Sequence, residues 1–178
     1  MTSFFELEAH IEEKLLDDFF DIAGEETTTP KQIQKFINAG IDINTHDRLG
    51  CGYNALMYAV ENEKINMEVL KFLLKAGTDI NATDWEGQTA LKVAVEFNDN
   101  IEITKFLIDS GFDVNTSDDG GWTPLITATF KKKVDFIKLL LQAGADPNAK
   151  NNKGMTAKDF AIKGGIPEIV KIFESLSE

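Results

Sequence analysis

The chain has 178 residues, of which 43% are hydrophobic and 27% charged, with a formal net charge of −12. This composition is typical of a folded chain that is long enough to bury a core, so disorder is not expected. The acidic balance disfavours nucleic acid and anionic membranes as ligands, because both attract basic surfaces.

The first predicted element is a long amphipathic helix that ends at Gly24. Ser3 and Glu6 form a predicted capping box, and apolar residues then recur at helical spacing at Phe4, Leu7, Ile11, Leu15, Phe19 and Ile22. Thr29 and Pro30 begin a second helix over residues 31–38, since proline is tolerated in a first helical turn. Residues 1–44 are predicted to cap a repeat array, because terminal repeats are usually atypical.

Four similar segments end in a glycine, an aspartate and an asparagine. These asparagines lie 37, 34 and 33 residues apart, at Asn44, Asn81, Asn115 and Asn148. After each comes a turn of the form Gly-x-[Thr/Asn]-[Pro/Ala], which suits the N-cap of a short helix with an inward alanine at Ala59, Ala94, Ala128 or Ala161. A second helix with apolar spacing near 3.6 follows in each unit and stops at glycine. The predicted repeats are 45–81, 82–115 and 116–148, and residues 149–178 form the second cap.

The stretch Gly121-Trp-Thr123-Pro-Leu125, together with Leu139-Leu-Leu141-Gln-Ala-Gly144-Ala-Asp146-Pro-Asn148, resembles the ankyrin repeat. This resemblance covers nearly the whole chain. It implies an all-α ankyrin-repeat solenoid of stacked helix pairs linked by finger loops, as a single domain over residues 1–178 with about five repeats including the caps. One departure is that the histidine usual after Thr-Pro-Leu is replaced here by Met57, Lys92, Ile126 or Asp159.

The resemblance also implies binding of a partner protein through the finger tips and the concave face of the first helices. Nine residues fall on those positions and are predicted to contact the partner: Tyr53, Trp85, Glu86, Gln88, Glu96, Phe97, Asp119, Trp122 and Phe130. Aromatic side chains at solvent-facing positions are typical of interface hot spots. A single ring could instead support a neighbouring finger. The acids around the rings favour a partner with a basic rim.

Residues that could carry chemistry are few. His46, Asp47 and Cys51 share one finger, but their spacing matches no structural zinc pattern and a fourth ligand is missing. No phosphate-binding loop is present either. We therefore expect no metal, no cofactor and no enzymatic activity.

Cys51 is the only cysteine, so no internal disulfide can form, and no apolar run approaches the ~20 residues that span a bilayer. We expect a cytoplasmic, monomeric module for protein–protein interaction, without a nucleic-acid or membrane partner. The alternative is an acidic inhibitor or immunity-type protein that masks a basic toxin or enzyme. The second function predicts tight, salt-sensitive association with one basic partner.

Overall fold

A computed structural model describes the backbone of residues 4–176 and the side chains of residues 13–176. Over that range the chain is all-α, as predicted, and contains no strand. Its ten helices are α1 (Phe4–Ala23), α2 (Pro30–Asn38), α3 (Ala55–Glu61), α4 (Met67–Lys75), α5 (Ala90–Phe97), α6 (Ile101–Asp109), α7 (Pro124–Phe130), α8 (Val134–Gln142), α9 (Ala157–Lys163) and α10 (Pro167–Glu174). The capping box predicted for Ser3 and Glu6 lies outside the described residues. None of the described helices contains an apolar stretch of the length that a membrane span requires.

The repeat motif determines where the helices begin and end. The hydroxyls of Thr89, Thr123 and Thr156 each accept a hydrogen bond from the third amide of the helix that follows, at 3.2–3.4 Å. At the other end, the glycine after each second helix of the first four pairs has a left-handed φ of 89–99°, at Gly40, Gly77, Gly111 and Gly144. A side chain is strained in that conformation, so these glycines end the helices as predicted.

The helices form two compact units, which divide between Trp85 and Glu86. In unit 1, which ends at Trp85, α1 packs against α3 and α2 packs against α4, and each first helix also contacts the second helix of its own pair. Asn44 links the two pairs, because its Nδ2 donates to the Gly77 carbonyl at 3.2 Å while its Oδ1 accepts from the Asp79 amide at 2.7 Å. The repeat-ending asparagine therefore holds the turn of the next repeat.

Unit 2, which begins at Glu86, repeats this arrangement over three helix pairs. The first helices α5, α7 and α9 pack in series, and α6 packs against α8. The predicted inward alanines Ala94, Ala128 and Ala161 are fully buried, which lets these helices approach closely. Asn115 bridges to Gly144 and Asp146 in the same way that Asn44 does in unit 1.

Candidate functional site

The finger of unit 1, residues 47–53, is organised around a buried carboxylate. Asp47 is 7% exposed, and its Oδ2 accepts a hydrogen bond of 2.6 Å from the Tyr58 hydroxyl on α3. Its Oδ1 accepts from the Gly50 amide, and its own amide donates to the Tyr53 carbonyl at 2.9 Å. Burial raises the pKa of the Tyr58 phenol, and the hydrogen bond to Asp47 raises it further. The finger is therefore held against α3 by these hydrogen bonds.

Two aromatic residues predicted to face solvent in unit 1 have opposite outcomes. Tyr53 is only 5% exposed and packs edge-on against Tyr58, with ring centroids 5.4 Å apart, so its predicted exposure was wrong. Trp85 is 59% exposed, as expected of a contact residue. A Cβ added to Gly52 would lie 2.5 Å from the Trp85 indole, so the ring occupies space that only glycine leaves open.

Cys51 lies on this finger and is exposed. Desolvation raises the pKa of its thiol, and the negative charge of Asp47 adds to that effect. A thiol with a raised pKa is a poor nucleophile at neutral pH, because the thiolate is the reactive form. Among the residues that the structure describes, no group of three His, Cys, Asp or Glu side chains is placed to hold a metal ion.

A buried lysine organises the corresponding region of unit 2. Lys92 on α5 is 4% exposed, and its Nζ donates to the Gln88 Oε1 at 3.1 Å. The same ammonium pairs with Glu96 at 3.3 Å and with Asp118 at 2.9 Å. Three acceptors match the three N–H donors of an ammonium group, so the buried charge is fully satisfied. Glu96 also pairs with Lys131 at 3.4 Å, which extends the network to the surface.

Asp118 connects this network to the finger of residues 118–122. Its second oxygen, Oδ1, accepts from the amides of Gly120 and Trp122 at 2.9 and 2.8 Å. The Asp118 amide in turn donates to the Trp122 carbonyl at 3.2 Å. One carboxylate therefore closes the finger turn and joins it to α5 through Lys92.

The aromatic surface of unit 2 consists of Phe97, Trp122, Phe130 and Phe160. Trp122 packs edge-on against Phe130 and tilted against Phe160, with ring centroids 5.3 and 4.9 Å apart, and the two phenylalanines lie 5.9 Å apart. Phe130 is nevertheless 55% exposed and Phe97 45% exposed. The Lys131 ammonium lies 5.5 Å from the centroid of the Phe97 ring. Trp122 is half-buried, so it both supports its neighbours and keeps an open edge.

The polar residues of unit 2 that were predicted to contact a partner differ in their exposure. Glu86 and Asp119 are exposed, and Glu96 is half-buried in the network described above. Gln88 is only 6% exposed, so its predicted exposure was wrong. Its amide nitrogen donates to Glu86 at 2.9 Å while its oxygen accepts from Lys92. Gln88 therefore stabilises the Lys92 network from a buried position.

Sequence reasoning missed two residues of this site, Lys92 and Phe160. Lys92 occupies the position where the ankyrin pattern has a polar histidine, which was a usable signal for a hydrogen-bonding role. Phe160 occupies the fourth position of its first helix, and so does Tyr58. Each ring packs against the residue at position x of the Gly-x-[Thr/Asn] turn: Tyr58 packs against Tyr53, and Phe160 packs against Trp122.

A family model for ankyrin repeats matches residues 22–118 and 97–175, in agreement with the helix pairs described above. Ankyrin repeat protein OPG189 of Variola virus is 31% identical over 146 residues, which cover 80% of this chain and 26% of the viral protein. The B-cell lymphoma 3 protein homolog of Mus musculus is 31% identical over 82% of this chain and 32% of its own length. Ankyrin repeat protein YahD of Escherichia coli is 29% identical over 79% of this chain and 70% of its own length. The chain thus spans about a quarter of the Variola virus protein and most of the bacterial one.

Proposed function

Since the chain belongs to the ankyrin-repeat family, whose repeats generally serve protein–protein interaction, we propose that it docks a partner protein on the aromatic surface of unit 2. The observation that supports this proposal is that Phe97 and Phe130 remain 45% and 55% exposed, although Phe130 packs on Trp122. Large exposed rings on a rigid support favour binding, because they bury much area at little cost in side-chain entropy. No catalytic role is assigned to any of these groups.

The charges around the aromatic surface favour one kind of partner. Glu86 and Asp119 are exposed acids, while Lys131 is held by Glu96 and by the Phe97 ring. A partner that inserts an apolar side chain among the rings and surrounds it with lysine or arginine would complement this rim. Tyr53 and Gln88 are left out of the proposed contact because they are buried.

The test compares two exposed apolar residues of unit 2. Phe130→Ala removes a ring of the aromatic surface, whereas Ile162→Ala truncates a side chain that is 56% exposed on α9, about 200° around that helix from Phe160. The partner is first captured on the immobilised wild-type chain, and its affinity for each purified variant is then measured by calorimetry. We expect Phe130→Ala to weaken binding by about 2 kcal/mol, a hot-spot value, and Ile162→Ala to change it by less than 0.5 kcal/mol, as a rough bound. Equal effects from both variants would refute the proposal.

Trp85 supplies a separate exposed ring in unit 1, and we propose that it contacts the partner as well. Trp85→Ala removes that ring and Trp122→Ala the central ring of the aromatic surface, so both variants are compared with wild type. Circular dichroism checks that each variant is folded. If neither variant weakens binding while both stay folded, the tryptophans are not contact residues.

A second candidate function is that of an acidic inhibitor or immunity-type protein that masks a basic toxin or enzyme. The net charge of −12 supports it, because charge complementarity of this size accelerates association with a basic protein. Pull-downs at about 50 mM and about 500 mM salt distinguish the two functions. Salt screening strongly weakens the charge-driven association of an inhibitor with a basic protein, but weakens docking on the aromatic surface much less. Retention of no single basic protein at low salt would rule out the inhibitor function.

The remaining proposals are that the chain acts as a monomer in the cytoplasm. A single cysteine in 178 residues suits a reducing compartment, where disulfides rarely form. Sedimentation velocity should give the monomer mass of 19.8 kDa, and a concentration-dependent larger species would contradict a monomer.

A further inference from the structure

Unit 1 contains a cleft that the proposed function does not use. It has a volume of about 950 Å³ and opens between α1, the turn after α2 and the finger that begins at Asp47. A smaller cleft of about 420 Å³ shares Phe20, Asp21 and Tyr58 with it and reaches Glu61. Because the two clefts share these three lining residues, we call them together the α1 cleft.

The floor of the α1 cleft is apolar. Leu16, Phe20 and Ile41 line it, Leu49 lies at its edge, and Phe20 packs on Tyr58 with ring centroids 5.6 Å apart. Leu49 is 90% exposed, the most exposed large apolar side chain in the described part of the chain. Covering so exposed a leucine with the apolar surface of a partner lowers the free energy of the complex.

The rim of the α1 cleft is acidic. Asp17, Asp21 and Asp42 are exposed there, and Arg48 is the single base among the described lining residues. Burial raises the pKa of Glu61 at the end of the smaller cleft, which shows that its carboxylate is short of solvation. An incoming cation would therefore meet several carboxylates and one base.

We propose that the α1 cleft binds a basic amphipathic segment of a partner protein, with its apolar side chains against Leu16, Phe20 and the exposed Leu49 and its lysines or arginines at the acidic rim. Charge complementarity selects this occupant. A second copy of the chain would bring another net charge of −12 to an acidic rim. An anionic membrane is repelled for the same reason. This site lies wholly within unit 1, so it is independent of the aromatic surface of unit 2.

The test uses a synthetic probe and the full chain. The probe is a fluorescent helical peptide of about four turns, built from leucine and lysine with leucine at positions i, i+3, i+4 and i+7. One control peptide replaces every lysine with glutamate, and another scrambles the sequence so that the apolar stripe is lost. Binding is measured by fluorescence anisotropy at low salt. We expect saturable binding of the probe and none of either control.

Two variants locate the probe. Asp17→Lys/Asp21→Lys reverses two exposed rim charges and should weaken binding about tenfold, and Leu49→Ser should weaken it about fivefold. The matched control is Asp109→Lys/Glu174→Lys, which makes the same charge change at exposed positions in unit 2 and should alter the affinity less than about twofold. Leu49→Ser cannot fail by unfolding the chain, because its side chain packs against almost nothing.

Several results would overturn the proposal. Equal weakening by both charge-reversal pairs would show that the probe senses only net charge. A dimer that Leu49→Ser dissociates would assign the cleft to a second copy, and binding of anionic vesicles that Leu49→Ser abolishes would assign it to a membrane. Loss of probe binding in Phe130→Ala, with cleft variants unaffected, would place the probe on the aromatic surface. That last result would end the cleft proposal and leave the proposed function standing.

Discussion

Replacing Lys92 with methionine tests whether the buried charge network holds unit 2 together. Methionine keeps the length and the apolar stem of lysine but removes the ammonium. The change leaves Asp118 and Glu96 without their shared cation and removes the Lys92 N–H that donates to the buried Gln88 oxygen. We therefore expect a large loss of stability from a substitution that makes the chain more hydrophobic.

The size of the loss follows from the burial of the partners. Removing one member of a fully buried ion pair costs about 3–5 kcal/mol, because the other charge stays buried alone. Here the side chains of Asp118 and Glu96 are 13% and 23% exposed, and Glu96 keeps Lys131 at 3.4 Å. This residual solvation lowers the expected cost to about 2–3 kcal/mol, or about 5–10 °C in Tm for a chain of this length.

The assay is urea unfolding followed by tryptophan fluorescence. In a Trp85→Phe background, Trp122 is the only tryptophan left, so the signal reports unit 2 alone. Lys105→Met on α6 is the matched control, since Lys105 is exposed and should cost less than about 0.5 kcal/mol. The double variant Lys92→Met/Asp118→Asn should be no less stable than Lys92→Met, because neutralising Asp118 removes the isolated charge. Equal costs for Lys92→Met and Lys105→Met would refute the reasoning.

Three further predictions address the other constrained groups. Gly121 and Gly154 both have a left-handed φ. A Cβ at Gly121 would lie 2.8 Å from the Asn152 amide nitrogen, whereas a Cβ at Gly154 would meet no atom within 4 Å. Gly121→Ala should therefore lower the free energy of unfolding in urea by at least about 1 kcal/mol more than Gly154→Ala does. Burial raises the pKa of Glu61 above 4.5, because the folded chain favours the protonated carboxyl group. The folded chain is therefore more stable at low pH, and this stability is lost as the pH rises through the folded pKa of Glu61. Glu61→Gln should therefore raise Tm at pH 7 and not at about pH 4, and an equal rise at both values would contradict this. The pKa of Cys51 lies above its usual 9.0, so iodoacetamide should alkylate it more slowly at about pH 7.5 in the folded chain than in urea, and a faster folded rate would be inconsistent.

The fold could be predicted because each local signal has a local cause. Threonine at an N-cap and glycine in a left-handed turn act within a few residues, so the sequence motif places them directly. The long α1 ending at Ala23 followed from the apolar spacing along the helix and from the glycine at position 24. The division between Trp85 and Glu86 could not be predicted, because it falls inside one finger and depends on how contacts distribute across the whole chain.

The site was harder to predict, because exposure is a property of packing. The motif position x, between the glycine and the threonine or asparagine, was predicted to face solvent in the three central repeats. Its side chain instead turns onto the first helices, so Tyr53 meets Tyr58 and Gln88 meets Lys92. The large indole of Trp122 packs on Phe160 in the same way and still keeps an open edge.

Lys92 connects the stability of unit 2 to its proposed function. Its ammonium holds Asp118, the second oxygen of Asp118 holds the Trp122 amide, and the Trp122 ring supports Phe130. Losing Lys92 should therefore weaken partner binding even under conditions where the variant is fully folded, because the finger that carries Trp122 loses its link to α5. Phe130→Ala should weaken binding by another route, by removing contact area while the finger stays in place. Combining the two substitutions should then cost less than the sum of the single effects, because a displaced Trp122 no longer supports the Phe130 ring.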